Sequence, residues 1–359
     1  MKTRIQLLLL SLLSFHVYGQ RKERSNPDRL PTKVITLEAN TKAPSDIKLP
    51  FSYIRIIDSR FDTTKIGYSE DFFSLINDKS YHKLKLQLKV DAAIQAYYNS
   101  YYSENFSKGG PGLLIVLKKF WLTEIDYENN KGIVFAGDRK MVPLIPCKWE
   151  YYVEKDNKYL PVKRVDTTWY LQHDLQEFLK PGALEGKRAI ELKFIKFALT
   201  RMIEMLDFSK GIKEFDNQPK KSMDDINAFN EARYNIPALR TTEFVPGVYL
   251  TFEEFKNNKP SVLQFTEKKM KNRSKSEYYI EDEKGNQINP YWGYFNGKEF
   301  KIGKWSNDKF YRVENTFCFF MRSIHHTQNM DETTGIMYGT TKDTDWIPYE
   351  IDMETGEIY

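Results

Sequence analysis

A chain of 359 residues carrying 54 Lys and Arg against 49 Asp and Glu has the length of about two domains and is close to charge balance. That balance gives no case for a nucleic-acid binder, which carries a concentrated basic stripe, and the densest basic run, Glu267 to Lys275 (EKKMKNRSK), reads as a solvated loop. With 23 Tyr, 24 Phe and 6 Trp in so polar a chain, composition favours sheet-rich structure over a helical bundle.

Met1-Lys2-Thr3-Arg4 is a short basic start, Ile5 to Val17 is mostly apolar, and Val17-Tyr18-Gly19 offers the modest side chains a signal peptidase reads. Cleavage after Gly19 is expected, so residues 1–19 read as a signal peptide and 20–32 as a flexible polar tail. The apolar run is shorter than the roughly 20 residues of a membrane-spanning helix, and no later stretch competes with it. The mature chain therefore reads as exported, periplasmic or extracellular, without a transmembrane segment. Cleavage removes only Lys2 and Arg4 among the charged residues, leaving 52 basic and 49 acidic side chains.

Lys33–Ala39 (KVITLEA) and Phe51–Asp58 (FSYIRIID) have strand length and pattern, and the polar SRFDTTKIGYSED that follows reads as a loop. Leu84, Leu86, Leu88 and Val90 alternate as in a strand. Beyond Asp91, Ile94, Tyr97, Tyr98 and Tyr101 share one helical face until Lys108–Gly112 (KGGPG) stops the helix. Leu113–Ile125 is the most hydrophobic strand candidate of the mature chain and is placed centrally in a sheet. After GIVFAG, the runs CKWEYYVEK and YLPVKRVDTTWYLQ flank Asp156-Asn157-Lys158 and predict an antiparallel hairpin. Beyond Lys180-Pro181-Gly182, the stripe through Ile190, Phe194, Ile195, Ala198, Leu199, Met202, Ile203 and Leu206 predicts a helix closing a first domain, residues 33–208.

Residues 209–240 read as a linker with a short helix from Ser222, and 241–359 as a β-rich second domain. Its opening stretch, GVYLTFEEFKNNKPSV (Gly247 to Val262), combines a short strand with the T-x-x-E spacing of a capping box at Thr251 and Glu254. Phe252 and Phe255 then face the core, and Asn257-Asn258 and Pro260 end the turn. The remaining short strands are punctuated by the hairpin signals Lys284-Gly285-Asn286, Asn296-Gly297 and Glu354-Thr355-Gly356. The fold class predicted is α+β: an N-terminal mixed sheet packed by two helices, then a C-terminal antiparallel meander.

Catalytic groups are sparse. The mature chain has four histidines, and His325-His326 are strand neighbours that point to opposite faces, with Asp331 and Glu332 nearby as a weak alternative metal set. No H-E-x-x-H, G-x-S-x-G or P-loop pattern occurs, so no catalytic residue, metal or cofactor is assigned. Cys147 and Cys318 lie in apolar strand-like runs and read as buried thiols behaving as small hydrophobes, with an interdomain disulfide as the alternative. Trp292, Tyr294, Trp305 and Tyr311 crowd one predicted hairpin edge and are the candidate ligand-binding residues, since sugar rings stack on such faces; the competing role is core filling.

SYIRIIDSRFDTTKIGY followed by an amphipathic segment and LLIVLKKFWLTEI resembles the N-terminal domain of small envelope proteins, often lipoproteins, that act as accessory components at the outer membrane. The resemblance covers residues 33–207 and rests on an Asp-x-Arg after a strand with Ile-Gly a few residues on. The chain departs from the lipoprotein pattern in lacking a lipidated cysteine, which leaves membrane anchoring without its acceptor. Gly247 to Ser261 is similar to a G-x-Y-L-T-F-E-x-F-x-N-N-x-P-S element of uncharacterised secreted proteins and implies no activity. The function expected is therefore a non-enzymatic envelope interaction protein with a protein or glycan partner. The alternative is a carbohydrate-binding module or glycan-acting enzyme using the aromatic C-terminal domain.

Overall fold

A computed structural model of the chain describes residues 26–70, 81–126, 141–170, 190–269, 278–303, 310–330 and 337–359. The signal peptide, GIVFAG, Lys180-Pro181-Gly182, Trp305 and Asp331-Glu332 lie outside the described residues. The fold is α+β, with strands outweighing helices as the aromatic content predicts.

The first half is built on strands β1 (Thr32–Ile35), β2 (Tyr53–Asp58), β3 (Gly67–Glu70), β4 (Tyr81–Leu86), β5 (Gly112–Phe120), β6 (Thr123–Asp126), β7 (Met141–Lys155) and β8 (Lys158–Tyr170). A five-stranded sheet runs β2-β5-β7-β6, with β8 also paired to β7. β2 and β5 are parallel and the rest antiparallel, so the sheet is mixed and β5 has neighbours on both sides. β7 and β8 form the expected hairpin, with Asp156 and Asn157 both in the left-handed region that a tight turn demands of short polar side chains. β1, β4 and β3 make a smaller sheet beside it.

Alternation divides the main sheet into two unlike faces. Leu113, Ile115 and Leu117 of β5, with Cys147, Trp149 and Tyr151 of β7, are buried against helices α1 (Val90–Tyr101) and α2 (Ile190–Glu204). The tyrosine hydroxyls there are satisfied: Tyr98 donates to the Leu199 carbonyl and Tyr151 to the Met202 carbonyl, each at 2.7 Å. The opposite face carries a small apolar cluster of Leu114, Val116, Tyr152 and Tyr159, and otherwise charge.

The segment expected to link the halves is packed along its length. It holds α3 (Ser209–Glu214), a 3-10 turn at Phe215–Asn217, α4 (Met223–Ala232) and α5 (Pro237–Arg240). Phe215 joins the helix-covered core, Ile226 sits on the opposite sheet face, and Ile236 and Leu239 enter the core of the second half. Lys221 pairs its backbone with Tyr159 of β8, and Ser222 and Asp225 close a reciprocal capping box at the start of α4. The apolar residues of this strap are irregularly spaced, so no periodicity announces them among the lysines.

The second half contains β9 (Gly247–Tyr249), α6 (Phe252–Lys256), β10 (Phe265–Lys269), β11 (Tyr278–Asp282), β12 (Gly293–Phe295), β13 (Phe300–Ile302), β14 (Tyr311–Val313), β15 (Thr316–Met330) and β16 (Met337–Glu350). Its strand pairs are antiparallel. Asn296-Gly297 turns β12 into β13 as expected, but β11 takes β10 as its partner, and Lys284-Gly285-Asn286 closes only a single bridge between Glu281 and Gln287. In the opening stretch Thr251 accepts the Glu254 N–H at 3.2 Å, and Phe255 is fully buried while Phe252 is half-buried. The reciprocal arm of the capping box is absent. The Glu254 carboxylate instead accepts from the backbone N–H groups of Leu250 and Ser261 at 2.8 and 3.1 Å, tying both ends of the turn together.

Candidate functional site

The face of the main sheet turned away from α1 and α2 is the chemically unusual surface of the molecule. Strand alternation in KWEYYVE sends Lys148, Glu150, Tyr152 and Glu154 to it, with Lys118 and Arg55 arriving from β5 and β2. The groups pair in rungs. Arg55 lies 3.2 Å from Glu154 and donates to the Tyr159 hydroxyl at 2.7 Å. Lys118 meets Glu150 at 2.6 Å, and the Tyr152 hydroxyl donates to the other oxygen of that carboxylate at 3.0 Å. Lys148 pairs with Glu354, which also accepts from Arg233 Nε at 2.5 Å, and Lys119 pairs with Asp352. Three of these rungs lie between residues more than a hundred positions apart, so the C-terminal segment is fastened to the first half by charge.

Burial alone would raise the Glu354 carboxyl, but its two cations outweigh that and bring it down to about 2. Lys118 behaves in the opposite way: loss of water lowers its ammonium more than Glu150 raises it.

Beside this ladder, the polar loop after β2 folds into a buried knot. The Arg60 guanidinium grips Asp58 through Nε and Nη2 at 2.9 and 2.8 Å and donates to the Lys65 carbonyl at 2.7 Å. Lys65, whose side chain is entirely inaccessible, pairs with Asp62 and has Glu350 Oε2 at 2.9 Å without an aligned hydrogen bond. One ammonium thus faces two carboxyls. Burial drives Asp62 upward, but Lys65 and the Thr64 N–H and hydroxyl overcome it and hold Asp62 low, whereas burial dominates at Glu350 and pushes it up to about 8. The adjoining cavity is about 40 Å³, on the order of one water, and shares Phe61, Arg233 and Glu354 with a wider concavity of about 350 Å³.

A second concavity of about 350 Å³ opens where the charged face meets the rim of β8. Pro161 to Arg164 form one wall around a bulge in the β7–β8 ladder, and Lys221 and Phe229 of the strap form the other. The Phe229 ring is 48% exposed, and the ammonium groups of Lys118 and Lys221 stand 4.5 and 5.2 Å from its centroid. Lys163 and Arg164 are exposed and have no carboxylate partner among the described residues.

The aromatic candidates from the sequence do not share a surface. Trp292 is half-buried and stacks on Phe255 at 4.4 Å at the margin of the second core, and Tyr294 is buried with Val248 and Ile280 in a separate cluster. Tyr311 is half-buried on β14 opposite Cys318, and Trp305 lies outside the described residues. Cys147 and Cys318 are both buried and free, and loss of water raises both thiols, Cys318 to about 12. Among the described residues no group of three or more His, Cys, Asp or Glu is placed to hold a metal ion, and no helix is long and apolar enough to cross a membrane.

No family model, curated protein or solved structure matches the chain.

Proposed function

We propose that the mature chain is an exported, non-enzymatic interaction protein of the cell envelope, working through its surface rather than through a reacting centre. The observation that carries this is the disposition of its buried titratable groups. Asp58, Asp62, Glu150 and Glu354 are each engaged by a named cation, and Lys65, Lys118, Lys119 and Lys148 by a named carboxylate, some within the first half and some joining it or the strap to the C-terminal segment. A general acid or base must be open to the proton it moves. These groups are consumed in holding the molecule together.

The test has two arms. N-terminal sequencing of protein recovered from outside the cytoplasm should begin at Gln20. The purified mature chain, incubated with envelope glycan, lipid and peptide fractions, should leave them unchanged by mass spectrometry. A turnover that disappears in Glu350→Gln or Glu150→Gln while the melting temperature holds would overturn the proposal, as would retention of the chain in the cytoplasm.

A further inference from the structure

The groove between β8 and α4 combines two features that are independent of each other. The first is charge. Arg164, opposite Glu150 in the ladder, and Lys221 of the strap line it with Lys163 at its rim, Lys118 lies beneath Phe229, and the facing carboxylate, Glu150, is already taken by Lys118 and Tyr152. Asp225, the other acid near Lys221, is committed to the Ser222 backbone N–H and hydroxyl. Lys118 and Glu150 cancel and Asp225 offsets Lys221 in part, so the groove's net positive charge comes mainly from Lys163 and Arg164.

The second feature is backbone. β8 pairs only with β7 among the described residues, except at Tyr159, which exchanges two hydrogen bonds with Lys221 at 3.0 and 2.8 Å. The strap thus acts as an added strand for one residue pair and then leaves, taking α4 away from the edge. From Pro161 to Tyr170 the outer row of β8 has no backbone partner among the described residues. A strand with an unpaired edge is a template for another extended chain.

We infer that this groove receives an extended acidic segment of a partner polypeptide, which adds to the outer edge of β8, sets its carboxylates on Arg164 and Lys221, with Lys163 on the other side of the same edge, and lays an apolar side chain on Phe229. Charge complementarity selects the anion, and the open edge selects a polypeptide over a polysaccharide or free phosphate, neither of which can complete a β-ladder. Alternate side chains of such a strand face opposite ways, so a segment with an acid at every second position places its charges on one side. The inference rests on the reading of the chain as an interaction protein and names what that protein would grip.

The probe is a synthetic peptide of about ten residues alternating Glu and Val with one central Phe, titrated into the mature protein by fluorescence anisotropy. Saturable binding is expected, weakened by salt and lowered at least about tenfold by the double substitution Lys163→Glu and Arg164→Glu. Phe229→Ala should weaken it less, with the fold of both variants checked by circular dichroism. The same peptide N-methylated at alternate residues, which keeps its charge but cannot pair along an edge, should bind at least about tenfold more weakly. Equal binding of the methylated peptide, of a Gln-for-Glu peptide, or of an oligouronate or inorganic phosphate competing fully would overturn the inference, as would no binding at all. Peptide recovered intact but unbound leaves the wider proposal standing, whereas peptide bound and cleaved would sink the wider proposal and spare the groove.

Discussion

Asp62 and Glu350 face the same ammonium, yet they differ in what their loss would do. Asp62 is the carboxylate held low by Lys65, and Asp62→Asn passes that ammonium to Glu350 at 2.9 Å, so it should cost less in chemical denaturation than the roughly 3–5 kcal/mol of a stranded buried charge. Glu350, pushed up to about 8, is already largely protonated at pH 7, and Glu350→Gln replaces a neutral acid with a neutral amide. It should cost under about 1 kcal/mol at that pH. The pH dependence has a definite sign. A folded value above the usual 4.5 means the native state holds a proton the unfolded chain has released, so stability from this group declines as pH rises from 4.5 to 8. Glu354 works the other way: its folded value of about 2 stabilises fully above 4.5 and the gain is lost as pH falls from 4.5 towards 2. Melting curves across pH should show Glu350→Gln flattening the upper window only. A wild-type profile flat from pH 5 to 8, matching that of the variant, would refute the assignment. None of this was legible beforehand: SRFDTTKIGY reads as a polar loop because its polar residues are buried by partners as remote as Glu350, which no local pattern carries.

At the scale of elements, local chemistry spoke more plainly. The stripe from Ile190 to Ile203, the Asp156-Asn157 turn and the Thr251 cap each follow from short-range rules and each stands in the structure. Thr251→Ala should cost about 1 kcal/mol of stability, read from urea midpoints, with Ser222→Ala at the start of α4 similar. Position 67 tests a joint between elements. Gly67 has φ +141° and bridges Leu122, and an added Cβ would stand 1.8 Å from the Leu122 carbonyl oxygen. Gly67→Ala should therefore destabilise by upwards of about 3 kcal/mol, and a variant of wild-type stability would show that the two sheets are not clamped there. What sequence patterning missed was the second face of β7. CKWEYYVEK reads as half-apolar strand, and only packing shows that Lys148, Glu150 and Glu154 are buried while Lys155 stays in water. The groove on β8 was hidden for the same reason: Lys163 and Phe229 are 66 positions apart in sequence and become neighbours only through the course of the strap.

For the whole molecule, the halves share more than a covalent connection. Phe61, from the loop after β2, packs in the core of the second half and meets Tyr234 edge-on at 5.4 Å, while Arg233 donates to the Ser59 carbonyl at 2.7 Å. Urea unfolding followed by Trp fluorescence should accordingly show one cooperative transition, although the chain has the length of two domains. Phe61→Ala should lower that single midpoint, and two separate transitions, with only the later residues affected, would establish independent halves.

The rungs that join Lys148 to Glu354 and Lys65 to Asp62 also constrain how this protein can drift over time. Glu354 also holds Arg233 and Lys65 also faces Glu350, so exchanging two members for an apolar pair leaves a third buried group without its partner. The three sites of each group, Lys148, Arg233 and Glu354 or Asp62, Lys65 and Glu350, are therefore a single heritable unit. In descendants of a common ancestor they should be kept together or replaced together, and Lys148 and Glu354 should share a history despite standing 206 positions apart in the sequence.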